Sequence, residues 1–193
     1  MKKQLMTAIF AASLALPLQA AERYTIDTEG MHAFVQFKIS HLGYSWLYGR
    51  FNDFEGDFTF DPEAPENSAV QATIQTASVD TNHERRDQHL RNDDFLDVEN
   101  YPEASFESTG FEPLGDDRYR LSGDFTLLGV TREIEIHVTQ IGAGEDPWGG
   151  FRRGFQGRTE LPLEAFGIDY DLGPAAKEVE IILSIEGVRQ EDS

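Results

Sequence analysis

The densest cluster of reactive side chains lies at residues 80–91, where Asp80, His83, Glu84, Arg85, Arg86, Asp87, His89 and Arg91 follow one another closely. At the start of a helix, an arginine pair such as Arg85 and Arg86 can grip a pyrophosphate or a quinone carbonyl with its forked side chains and the free backbone N–H groups. Arg86 and His89 are therefore candidate contacts for a polar head group. The competing use of the same residues is structural, with Arg86 and Asp87 pinning the helix through ion pairs and Arg85 solvated. A second basic group, Arg152, Arg153 and Arg158, stands near Trp148. Arg153 shares the phase of Phe151 and Phe155, so it is expected to point inward among aromatics, where it either meets an anionic head group or pairs with a carboxylate.

The histidines do not form a metal site on spacing. His32 and His41 are an odd number of residues apart, which puts them on opposite faces of a regular strand, and His83 and His89 lie well off a common helix face. The chain has no Cys, no Gly-x-Ser-x-Gly and no glycine loop that cradles phosphate after a strand. Carboxylates are abundant, but abundance is not pairing. Neither catalysis nor a cofactor is expected.

Those residues must be positioned by a β-rich chain. Lys2 and Lys3 precede an apolar run, Leu5 to Leu16, that Pro17 ends before it reaches membrane length, so residues 1–20 read as a signal peptide cleaved after Ala20. The expected mature domain, 21–193, is periplasmic and free in solution, without stable membrane insertion. Its 16 basic residues fall by two to 14 with Lys2 and Lys3 removed, against 35 acidic ones, a formal charge of −21. That balance excludes nucleic acid as a natural partner and favours solubility. With no cysteine the fold must close its core by burial alone, which roughly 150 residues and more allow in one domain.

Period-two alternation recurs in eight runs. Ala33, Val35, Phe37 and Ile39 share one phase; Phe54, Gly56, Phe58 and Phe60 share the next; Val70, Ala72 and Ile74, then Ala104, Phe106 and Ser108, follow. Tyr119, Leu121, Gly123, Phe125 and Leu127 make the fifth run, and Ile134, Ile136 and Val138 the sixth. Phe151, Phe155, Gly157, Thr159 and Leu161, then Val179, Ile181, Leu183 and Ile185, complete the set. Thr81-Asn82-His83-Glu84 has the form of a capping box and predicts a helix from about His83 to about Arg91, between strands three and four.

An antiparallel series with one apolar face per strand closes into a barrel or folds into a sandwich. Closure is favoured by the fill of that face, where many Phe alternate with Ala33, Gly56, Ala72, Ala104, Gly123 and Gly157, leaving room along an axis. An eight-stranded barrel can hold one small ligand. The alternative is that large and small residues interdigitate into a packed core, leaving a module that recruits partners through exposed aromatics such as Trp46 and Tyr48.

The segment His32 to Gly43, with Gly49-Arg50-Phe51 and Phe54-Glu55-Gly56, resembles the YceI-like family of periplasmic lipid-binding proteins. Arg86-Asp87-Gln88-His89-Leu90-Arg91, Phe95-Leu96-Asp97, Tyr101-Pro102 with Phe106, and the run from Gly123 to Arg132 extend the resemblance. Gly154-Phe155 and Phe166-Gly167-Ile168 carry it nearly to the C-terminus. It implies an all-β fold: an elongated, eight-stranded antiparallel lipocalin-like barrel with a short helix, holding a polyisoprenoid or isoprenoid-quinone-type lipid. The chain departs from the family's usual ending at Leu172 to Lys177, which leaves the last hairpin open.

The candidate tunnel is then Val35, Phe37, Ile39, Phe54, Phe58, Phe60, Ile74, Phe106, Leu121, Phe125, Leu127, Ile136, Phe155, Ile181 and Leu183. The expected partner is a long-chain isoprenoid lipid, carried, stored or sequestered. A small hydrolase or isomerase acting on an apolar substrate in the same cavity is the alternative, and it requires carboxylate or His side chains converging there. The Tyr44 to Tyr48 loop or an exposed strand edge is the expected seat of a homodimer, if one forms.

Overall fold

The computed structural model describes residues 21–191. The expected signal peptide lies outside the described residues. Among the described residues eleven strands form one antiparallel sheet: β1 (Glu22–Ile26), β2 (Phe34–His41), β3 (Ser45–Phe51), β4 (Phe54–Phe60), β5 (Ala69–Gln75), β6 (Val79–Asp80), β7 (Glu103–Gly115), β8 (Arg118–Leu127), β9 (Val130–Glu145), β10 (Phe151–Pro162) and β11 (Glu178–Arg189). A helix, α1 (Glu84–Arg91), stands between β6 and β7. No helix among the described residues is long and apolar enough to cross a membrane.

The eleven strands make eight staves. β1 pairs with the C-terminal part of β11 through Tyr24 and Arg189, and with β4 through Tyr24 and Phe58, which closes the ring β1-β4-β5-β7-β8-β9-β10-β11. β2 takes over from β1 along the N-terminal part of β11, Leu183 opposite Val35. Only Asn52 and Asp53 separate β3 from β4, and a short 3-10 turn at Thr76–Ser78 separates β5 from β6. The sheet is thus a closed barrel and not a sandwich, because β1 satisfies the edges of both β4 and β11.

Alternation sets the inside. In β4, Phe54, Phe58 and Phe60 are buried while Glu55 faces solvent, and in β8 Tyr119 and Leu121 are buried in the same way. A register shift in the β7–β8 pair between Ser108 and Gly110 re-aims the chain, so that Phe111 is buried although it is out of phase with Ala104 and Phe106.

The glycines work differently from the expected axis-clearing role. A side chain on Gly123 would lie 2.3 Å from the Phe106 ring, one on Gly49 2.2 Å from Phe37, and one on Gly56 2.9 Å from Ile26. Each glycine lets a large neighbour lie across it, so the space belongs to that neighbour. Gly157 borders the cavity, although a side chain there would still crowd Ile136 and Leu183, at 3.1 and 3.2 Å.

Two further expectations are corrected. The Tyr44 to Tyr48 segment is mostly strand, with Leu47, Gly49 and Phe51 on the inner phase and Trp46, Tyr48 and Arg50 on the outer one. Helix α1 is capped by His83, whose Nδ1 accepts from the Arg86 N–H at 3.2 Å. Thr81 lies two residues before that cap; its hydroxyl oxygen accepts from Arg86 Nε, and its hydroxyl and N–H both donate to Asp87 Oδ1. The last hairpin does form: Pro162 stands opposite Glu178, and the long connection between them folds back over the barrel, burying Phe166, Ile168 and Ala176.

Candidate ligand-binding cavity

The inner face splits into two apolar clusters. One gathers Tyr24, Ile26, Phe54, Phe58, Phe60, Phe111, Tyr119 and Leu121; the other gathers Phe37, Val79, Phe95, Leu96 and Ile168 beneath α1 and the 163–177 connection. A cavity of about 590 Å³ runs along both, and every one of the eleven strands contributes to its wall. That volume falls within the roughly 300–1,000 Å³ typical of small-ligand sites.

All fifteen apolar residues expected from the alternation line this cavity. Residues that the alternation did not single out for it include Leu47 and Phe51 of β3, Phe111, and Ile168, Tyr170 and Leu172 of the 163–177 connection. The polar and titratable residues in the lining are few: His41, Thr59, Ser68, Thr159, Arg86, His89 and Tyr170. No Asp or Glu is among the described residues that line it.

Arg86 and His89 reach the cavity from the same face of α1. Arg86 also pins the helix, through Nε to Thr81 Oγ1 (2.7 Å) and a terminal nitrogen to the Thr81 carbonyl (2.8 Å), so hydrogen bonds replace the expected ion pair. Arg91 adds bonds to the carbonyls of Ala77 and Val79 at 2.7 and 2.8 Å. Arg85 is exposed. The His89 ring stands 3.0 Å from an Asp94 carboxylate oxygen and meets Phe95 and Tyr170 edge-on, with centroids 5.0 and 5.3 Å away. It joins a polar group to an aromatic wall at the α1 end.

Arg153 is placed elsewhere. It is buried and points inward as expected, but it is not among the residues that line the cavity. Its guanidinium lies 4.2 Å from the Phe60 ring centroid and donates to Gln140 Oε1 (2.8 Å), Glu22 Oε2 (3.2 Å) and Tyr24 Oη (3.2 Å). Of the two uses open to it, pairing with a carboxylate is the one seen. Burial would raise the Glu22 carboxyl, but hydrogen bonds from Tyr24, Arg189 and Arg153 outweigh it and hold it below its ordinary value. Burial and the bond to Glu22 push the Tyr24 hydroxyl up.

Neighbouring Arg152 organises a separate ionic cluster. It donates to Asp27 and Glu186 at 2.5 Å and to Asp146 at 2.8 Å, and it lies 5.3 Å from the Trp148 ring centroid. Asp27, His32 and Glu186 come close enough together to hold a cation. The Arg152 guanidinium already supplies that charge. The His32 hydrogen bond, helped by Arg152, lowers the Asp27 carboxyl to about 2, and the bonds to Asp27, Asp146 and Glu186 raise the Arg152 guanidinium further.

Known proteins share this architecture. A family model described as the YceI-like domain matches residues 24–187. A protein called UPF0312 from Azotobacter vinelandii is 54% identical over 183 residues, covering 95% of each chain. Protein YceI of Escherichia coli is 51% identical over 191 residues, covering 98% of this chain and all of its own. Among solved structures, BcnA of Burkholderia cenocepacia superposes with a TM-score of 0.74 at 25% identity, over 83% of this chain and 98% of its own. A domain from Saccharophagus degradans, described as polyisoprenoid-binding, superposes with a TM-score of 0.64 at 16% identity over 86% and 98%, a likeness of fold.

Proposed function

The chain belongs to the YceI-like family, and from that premise we propose that it holds a polyisoprenoid or isoprenoid-quinone-type lipid in the barrel, for transport, storage or sequestration in the periplasm. The observation that carries the proposal is the cavity of about 590 Å³, walled by apolar side chains from every strand and bordered at the α1 end by Arg86 and His89.

A methyl-branched tail suits such a wall, because each buried methylene contributes about 0.8 kcal/mol and the gain needs no directional partner. Arg86 and His89 are the proposed contacts for a polar end group. The fifteen predicted wall residues are the proposed contacts for the tail. The Saccharophagus degradans domain, described as polyisoprenoid-binding on the same fold, supports the ligand class. The periplasm requires that residues 1–20 act as a leader, and Edman sequencing of the exported protein is then expected to begin at Ala21.

The test is uptake by delipidated protein. A polyprenyl alcohol presented in mild detergent is expected to co-elute with the protein on gel filtration at one molecule per chain, and a straight-chain fatty alcohol of equal carbon number to compete less well. Failure to retain any polyprenyl or quinone lipid would overturn the proposal.

A further inference from the structure

The β2–β3 hairpin lines the cavity with one face and presents aromatics to solvent with the other. Leu47 and His41 belong to the wall, while Leu42, Tyr44, Trp46 and Tyr48 are exposed, Tyr44 at 86% and Trp46 at 59%. The hairpin closes in a tight turn, where Leu42 and Gly43 take left-handed backbone conformations with φ of 52° and 78°. Beside it runs the 163–177 connection: a side chain on Gly173 would lie 3.7 Å from Leu42, and one on Gly43 3.9 Å from Ala175. Tyr170 and Leu172 of the same connection line the cavity. Exposed apolar surface is therefore continuous with the α1 end of the cavity wall.

Charge singles out the same hairpin. Residues 30–52 contain no Asp or Glu, in a chain with 35 of them in 193 residues, and they carry Lys38 and Arg50 on the outer phase. Lys38 sits 4.5 Å from the Trp46 ring centroid and pairs with Glu180; Arg50 pairs with Asp80. Much of the remaining surface is acidic and repelled by phosphate groups, so this acid-free segment is suited to approach them. Trp and Tyr beside Lys and Arg are the side chains that settle at the boundary between head groups and acyl chains.

We propose that the tip of the β2–β3 hairpin docks on the surface of a phospholipid bilayer, aligning the α1 end of the cavity with the membrane from which a water-insoluble cargo is taken or to which it is returned. This deepens the lipid-holding reading and rests on it. A bilayer fits the observations better than a second copy of the chain, because two strongly acidic chains repel one another.

The test uses sucrose-loaded vesicles of phosphatidylcholine and phosphatidylethanolamine without added cargo, with Trp148→Phe as background so that Trp46 is the remaining tryptophan. The protein is expected to sediment with the vesicles and the Trp46 emission to shift to the blue. Tyr44→Ser with Trp46→Ser is expected to lower the vesicle-bound fraction about tenfold or more. The same double variant should still take polyprenyl alcohol from detergent as the parent does, which shows that it is folded. Detergent uptake without vesicle binding in the parent would overturn the docking proposal and leave the lipid-holding reading standing, whereas loss of detergent uptake in the parent would remove the reading itself. A concentration-dependent dimer that the double variant abolishes, with vesicle binding unaltered, would assign the patch to self-association and overturn the proposal.

Discussion

Arg153→Met and Glu22→Gln break the same buried contact from opposite sides, and the structure predicts that they cost very different amounts. The Arg153 side chain is 7% exposed, with Glu22 as its carboxylate partner at 3.2 Å. Methionine keeps the apolar stem against Phe60, and the Glu22 left behind still accepts from Arg189 at 2.9 Å and from the Tyr24 hydroxyl. Arg153→Met should therefore cost only about 1–2 kcal/mol, near the value of a lost hydrogen bond to a charged group. Glu22→Gln leaves a cation in a nearly dry site with only neutral partners, the situation that costs about 3–5 kcal/mol. Urea unfolding followed by circular dichroism measures both, and lipid uptake by each folded variant should match the parent because Arg153 is off the cavity wall. Equal losses, or Arg153→Met costing more, would refute the assignment of the ionic cost. A stable Arg153→Met protein that lost its lipid would show that Arg153 acts on the ligand.

Three other outcomes are expected. The Asp27 carboxyl sits at about 2 in the fold against 3.8 when free, so its contribution is present above pH 4 and is lost as pH falls from about 4 to 2; Asp27→Asn should flatten that limb of the stability profile. Gly123→Ala places a methyl 2.3 Å from Phe106 and 2.6 Å from the Glu107 carbonyl, which should cost about 1–3 kcal/mol by thermal denaturation, and an unchanged melting temperature would show that the ring moves freely. Ala104→Phe extends a buried wall residue into the cavity; displacing roughly three methylenes of ligand should weaken lipid binding about a hundredfold, with the fold retained in circular dichroism.

The barrel was legible wherever an apolar residue alternated with a polar one. Phe54, Phe58 and Phe60 against Glu55, Asp57 and Thr59 located the β4 wall, and the same rule picked out fifteen residues that border the cavity, though not the whole of its lining. It failed at β3, because the outward residues Trp46 and Tyr48 are as apolar as the inward Leu47 and Phe51, so polarity does not mark the faces. It missed Phe111 because the register shift before it reverses the phase, and a bulge leaves no mark on composition. Arg153 was correctly read as inward. Its partner was beyond reach, since Glu22 is 131 residues away in the chain and meets it only because β1 closes the ring. Thr81 and Glu84 matched a capping box, but the Thr81 hydroxyl oxygen accepts from Arg86 Nε and the helix starts two residues later, with His83 as its cap.

The central claim, that the barrel holds one apolar lipid in its cavity, is tested most directly by native mass spectrometry of the protein isolated from the cells that make it, followed by denaturation in the same instrument. The account predicts an intact mass exceeding that of the polypeptide by one lipid, released on denaturation and carried by a smaller fraction of Ala104→Phe. An intact mass equal to that of the bare polypeptide, or an adduct retained in full by Ala104→Phe, would contradict it.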